Sequence, residues 1–208
     1  MFKLYYAPGT CALASHIALQ EAGARYTTER LDFKSNQQNS PEYLAINPKG
    51  RVPALVTDRG ILTETPAMLA FIAQSFPQAK LAPSDDPYAF AQVQAFNSYL
   101  CSTVHVAHAH KMRGARWATD EASFADMKRM IPKTVGACFA LIERGMLKGP
   151  WVMGDSYTIC DPYLFTLAQW LEGDSVDLST LPKVMEHRKR MSERPAVRKV
   201  LDQELTPA

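Results

Sequence analysis

The chain has 208 residues, 47% of them hydrophobic, and a formal net charge of +2 from 23 basic and 21 acidic side chains. That composition can bury one large core or two small ones. The balanced charge gives no electrostatic footprint for nucleic acid or an anionic membrane. No apolar run approaches a membrane span, and no signal-peptide pattern opens the sequence. Cys11, Cys101, Cys138 and Cys160 are widely spaced, with neither a C-x-x-C pair nor Cys/His metal spacing. Free thiols in a soluble, cytoplasmic protein are expected.

Residues 2–7 read as a strand and residues 11–22 as a helix stopped by Gly23. Cys11 then stands at the helix N-terminus, where free N–H groups and the helix dipole should ease ionisation of its thiol. Residues 26–33 form a second strand, residues 41–46 a short helix, and Asn47-Pro48-Lys49-Gly50 a turn. Residues 52–57 and 61–63 flank Asp58-Arg59-Gly60 as a hairpin. Thr65-Pro66 looks like an N-cap followed by proline at the first helical position, opening a helix through residue 75. The order βαβαββα predicts a parallel first pair and an antiparallel hairpin. That is an α/β thioredoxin-like domain over residues 1–79.

Pro77, Pro83, Pro87 and the run Ser84-Asp85-Asp86 mark a linker, placed at residues 80–87. An all-α helical domain is expected over residues 88–208. Val93, Phe96, Leu100 and Val104 recur at helical spacing, as do Met127, Met130, Ile142 and Met146. Thr158-Ile159-Cys160-Asp161 is a capping-box variant before an apolar helix over 163–171. Pro182 opens a further helix, broken at Arg194-Pro195.

Four features carry chemistry. Cys11-Ala12-Leu13-Ala14 has no second cysteine, so dithiol exchange within this segment is excluded. A mixed disulfide, a hydrogen bond to a ligand's sulfur, or burial as a small hydrophobe remain for Cys11. Val52-Pro53 heads a strand; a cis bond there would turn the Val52 backbone toward a ligand, although trans is the commoner state. Glu64-Thr65 offers a carboxylate and a hydroxyl at a helix start, for a ligand's ammonium and carboxylate or for capping alone. His105, His108 and His110 suggest a metal, but at ~100° per residue His108 and His110 point to nearly opposite sides, so no metal site is expected. His105 lies near the face of Phe96 and Leu100 and suits a buried polar role. Lys111, Arg113 and Arg116 read as a solvated face.

Together these segments resemble the cytosolic glutathione S-transferase superfamily, most closely its bacterial beta class. The resemblance rests on Tyr6-Ala7-Pro8-Gly9-Thr10-Cys11, the loop Asn47 to Leu55, Leu62-Thr63-Glu64-Thr65 and Asp155 to Asp161, in that order. It implies glutathione as co-substrate, with Cys11 and His105 as the catalytic pair. Thr10, Val52, Pro53, Glu64, Thr65 and Ser98 would contact glutathione, while Lys34 or Arg51 would meet its glycine carboxylate. Tyr99, His108, Met112 and Trp117 would line the second-substrate site. The implied activity is conjugation of glutathione to apolar electrophiles in a homodimer, with thiol transfer or peroxide reduction through Cys11 as a second chemistry. A non-catalytic adaptor or ligand carrier, or an isomerase or dehalogenase of the same superfamily, is the alternative.

Overall fold

In the computed structural model, which describes residues 1–205, β1 (Phe2–Tyr6) runs parallel to β2 (Tyr26–Arg30). It runs antiparallel to β3 (Ala54–Thr57), which pairs with β4 (Gly60–Thr63), giving the sheet order β2-β1-β3-β4. Helices α1 (Ala12–Glu21), α2 (Pro41–Ile46) and α3 (Thr65–Ser75) complete the expected thioredoxin-like unit. The second strand stops at Arg30 rather than at residue 33. Beyond it the Asp32 carboxylate accepts the Lys34 N–H at 2.8 Å and folds the chain into turns.

The first helix is the hinge of the architecture. Ala12 through Leu19 are all buried, so α1 has no solvated face and must be covered on every side. It packs on β1 and α3 within its own domain and on α7 (Cys160–Ala168) and α9 (Pro195–Leu205) of the helical domain. Leu13 and Ile17 share a second hydrophobic cluster with Phe165, Met191, Val197 and Val200. Two polar ties fix the angle. Buried His16 contacts Glu204 through Nδ1 at 3.1 Å, and Arg194 grips Glu21 with bonds of 2.6 and 2.9 Å. Gly23, at φ +66°, ends the turn after α1 in the left-handed conformation its residue type permits.

The expected linker proves to be packed. Leu81 is buried within it, and its carbonyl accepts the Ile159 N–H at 2.8 Å. Asp86 then caps α4 (Pro87–Tyr99) by accepting from the N–H groups of Tyr88 and Ala89. A wide π-type turn, Leu100–Val104, joins α4 to α5 (His105–Ala109). Helices α6 (Glu121–Leu141) and α8 (Pro182–Glu193) complete the helical domain. Residues 206–208, the end of its expected span, lie outside the described residues. Val93, Phe96, Leu100 and Val104 are buried as their spacing predicts. Of the second set only Ile142 is fully buried, whereas Met127, Met130 and Met146 sit at the margin.

Two boundaries differ from expectation for local reasons. Helix α7 begins at Cys160 because the buried Asp161 carboxylate organises its start. That carboxylate accepts from Thr158 N at 2.7 Å, Val152 N at 2.8 Å and His187 Nε2 at 3.0 Å. The helix ends at Ala168 because the following N–H groups of Trp170 and Leu171 bond back to Leu167 and Ala168 in tighter turns. Thr65 is the first residue of α3 rather than its cap. Glu64 takes the cap position at φ +72°, a conformation that costs a residue with a side chain about 1–3 kcal/mol.

Candidate active site

A cleft of about 700 Å³ separates the two domains. From the first domain it is lined by Thr10, Cys11, Arg51, Val52, Pro53, Glu64 and Thr65; from the second by His105, His108, Met112 and Trp117. The structure thus brings together eleven of the residues read from the sequence.

The floor is built by short-range chain geometry. Asn47 is buried; its amide donates to the Arg51 carbonyl at 2.6 Å, and the Tyr43 hydroxyl donates to the same oxygen at 2.6 Å. Gly50, at φ +59°, lets the turn close where a Cβ would come within 2.7 Å of Asn39 Oδ1. The loop so fixed delivers a cis Val52-Pro53 bond. Cys11, at the cap of α1, donates its thiol to the Val52 carbonyl at 3.5 Å. Lys49 ties down the Glu64 carboxylate at 2.5 Å and donates to the Thr63 hydroxyl at 2.7 Å.

The state of Cys11 corrects the sequence reading. Burial pushes its thiol up to about 11, and a bond with the Thr65 hydroxyl pulls back only part of that rise. Desolvation therefore outweighs the helix N-terminus, and the thiol is protonated at neutral pH. Cys101 also lines the cleft, with a thiol raised by burial.

The facing wall is aromatic and basic. Trp170 donates its indole N–H to the Gly9 carbonyl at 3.0 Å, bridging the domains. The ring of His105 lies against Trp170 at 5.1 Å, and that of His108 stacks on it at 4.2 Å and 24°. His108 Nδ1 contacts the buried Asp174 carboxylate at 2.6 Å, which holds the imidazole in place. His110 turns away to stack on Trp117. The three histidines do not converge on one point. Burial, followed by the charges of His108, Arg116, Arg51 and Arg113, lowers His105 to about 4. Its ring is accordingly neutral at physiological pH.

Three expected site residues lie elsewhere. Lys34 is exposed on the turns after β2, outside the cleft lining. Ser98 is exposed on α4, and its carbonyl accepts the Ser102 hydroxyl. Tyr99 points its hydroxyl to the Cys138 carbonyl on α6 at 3.1 Å. Ser98 lies one turn before Cys101, short of the stretch that lines the cleft. Conversely, Arg113 and Arg116 are exposed, as their run predicts, and also line the cleft. Trp170, Tyr163 and Cys101 also line the cleft, with no local motif to mark them. Only the aromatic character of Trp170 and Tyr163 within an apolar helical stretch signals their place.

Residues 1–74 match the family described as glutathione S-transferase, N-terminal domain, and residues 108–204 match glutathione S-transferase, C-terminal domain. The chain is 33% identical over 205 residues to glutathione S-transferase GstA of Escherichia coli O157:H7, covering 97% of this chain and 98% of that protein. It superposes on a glutathione transferase homologue from Sulfitobacter with bound glutathione, at a TM-score of 0.95 and 46% identity, covering 99% of both chains. A beta-class glutathione S-transferase from Sphingomonas chungbukensis matches at a TM-score of 0.86 and 30% identity over 98% of both chains. The chain belongs to the glutathione S-transferase family.

Proposed function

We propose that this transferase seats glutathione against the first domain, with its sulfur beside Cys11, and receives an apolar electrophile on the helical wall. The observation that carries this reading is the bond of the Cys11 thiol to the Val52 carbonyl, which joins two signals 41 residues apart. A cysteinyl unit paired with the Val52 backbone would place its sulfur next to Cys11. The γ-glutamyl carboxylate would meet the start of α3 at Thr65, where helix N–H groups favour an anion. Arg51 would take the glycine carboxylate.

The chemistry follows from protonation states. Glutathione's thiolate attacks the electrophilic carbon, the leaving group departs with its bonding electrons, and the thiol proton passes to solvent. A protonated Cys11 serves this step by turning its one S–H from the Val52 carbonyl to the thiolate, and a neutral His105 by donating an N–H. Thiol transfer through Cys11 requires its thiolate and is therefore disfavoured at neutral pH. Positioning by the first domain converts an encounter in solution into a step within one complex.

A homodimer in the cytoplasm completes the reading; sedimentation tests the assembly. Among the described residues no helix is long and apolar enough to cross a membrane. The decisive assay is calorimetric titration with glutathione followed by conjugation of a chlorodinitrobenzene. Saturable binding with turnover supports the reading, whereas binding to neither compound supports a non-catalytic adaptor.

A further inference from the structure

Three guanidiniums gather at the cleft. Arg51 comes from the loop before β3, and Arg113 and Arg116 come from the segment after α5. Burial and then the charges of Arg51 and Arg113 lower the pKa of Arg116, which places both charges near it. All three also bear on His105. None forms an ion pair among the described residues, and the nearby acids are already matched. Glu64 pairs with Lys49, and Asp174 with His108 and Lys111. The three side chains are exposed at the mouth of the cleft, and like charges held side by side there favour an anion among them.

Glutathione does not account for all of this charge. In the reading above, its α-carboxylate goes to the start of α3 and its glycine carboxylate to Arg51. Arg113 and Arg116 remain, on the opposite wall. Beside them the surface is apolar and open: Met112 is 78% exposed, Trp117 45% and Val106 37%. Trp117 is held flat by stacking on His110, with ring centres 4.0 Å apart. A soluble protein leaves such side chains uncovered at a cleft mainly where a ligand covers them.

We propose that the second substrate is an electrophile with a flat apolar body and a carboxylate, the body lying on Met112 and Trp117 and the carboxylate held by Arg113 and Arg116. The inference rests on the glutathione-transferase reading and narrows it to a substrate class. Guanidinium forks match a carboxylate in geometry as well as charge, and the neighbouring aromatic ring suits a planar body. In the reaction the glutathione sulfur forms a bond to the electrophilic carbon. Halide leaves with the electrons of the broken bond, and the carboxylate is untouched.

The test pairs a chlorodinitrobenzoate with the matching chlorodinitrobenzamide, each enzymatic kcat/KM divided by its own uncatalysed rate with glutathione. The benzoate should be preferred by about tenfold or more, a difference a paired charge readily supplies. Added salt should erode that preference in the unaltered protein. Changing Arg113→Gln together with Arg116→Gln should bring the ratio close to one. A preference that survives the double substitution overturns the proposal. So does an equal loss on both electrophiles, which would assign the two arginines to glutathione. If the double variant fails to fold, the salt dependence of the unaltered protein decides, and a salt-independent ratio overturns the proposal. Equal turnover of both electrophiles by a protein that binds glutathione defeats this proposal alone. Absence of glutathione binding defeats the transferase reading along with it.

Discussion

The two walls of the cleft are built by different means. On the first domain, Val52, Pro53, Glu64 and Thr65 are set by main-chain conformation: a cis bond, a left-handed residue and a helix start. On the helical domain, His105, His108, Arg113, Arg116 and Trp117 project side chains from a helix end and the turns after it. A wall made of backbone tolerates little sequence change and suits an invariant ligand. A wall made of side chains can be altered residue by residue without disturbing the fold, which suits a variable one. On the proposed function, binding of the constant tripeptide and choice of electrophile would thereby be separated in space.

The sharpest way to break this division is to remove the scaffold that both walls share. Asp161→Ala strips a buried carboxylate from Thr158, Val152 and His187 and should cost about 3 kcal/mol or more in urea unfolding. A loss below about 1 kcal/mol would mean the carboxylate is not organising α7. Next in size is the reactivity of Cys11. With its thiol pushed up to about 11, alkylation at pH 7.5 should run roughly a hundredfold slower than for a free thiol. The rate should climb steadily with pH; a plateau near neutrality would show a thiolate and contradict the assigned S–H donor role.

Thr65→Val then probes the backbone-built wall, because the hydroxyl is lost while shape is kept. Glutathione affinity by calorimetry should fall about tenfold, near 1.4 kcal/mol, with the electrophile KM moving far less. Trp117→Ala should show the opposite split, and parallel changes in both constants would dissolve the division. The smallest effect concerns His105, whose folded value near 4 lies below its ordinary 6.5. The unfolded chain takes up the proton first, so stability is level above about pH 6.5 and declines as pH falls toward 4. Between pH 7.5 and 5.5 the native protein should lose about 1 kcal/mol more than His105→Gln does. Equal losses would show that His105 titrates normally.

The same contrast explains what the sequence disclosed. Cys11 at a helix start, Val52-Pro53 at a strand head and Glu64-Thr65 before Pro66 are local signals, because turns and caps are decided by a few adjacent residues. The sheet order follows from the same punctuation. The helical wall is not local. Trp170 reaches Gly9 across 161 positions, and Cys101 enters the cleft through a wide turn that no hydrophobic period announces. Arg113 and Arg116 are exposed, as a charge run usually is, but their place at the cleft depends on the opposing domain, which no local signal discloses. Ser98 and Tyr99 rest on likeness to relatives alone, and neither lines the cleft: Ser98 is exposed and Tyr99 bonds to the Cys138 carbonyl. The ionisation of Cys11 departs from its sequence signal for a related reason. The helix N-terminus is visible in sequence, whereas the burial that outweighs it is a property of packing.

The most direct test is a crystal structure of the protein with glutathione. The cysteinyl unit should pair with the Val52 backbone, with the sulfur within hydrogen-bonding reach of Cys11 and the α-carboxylate at the start of α3. Glutathione lying instead along Arg113, Arg116 and Trp117, with its sulfur away from Cys11, would contradict this placement.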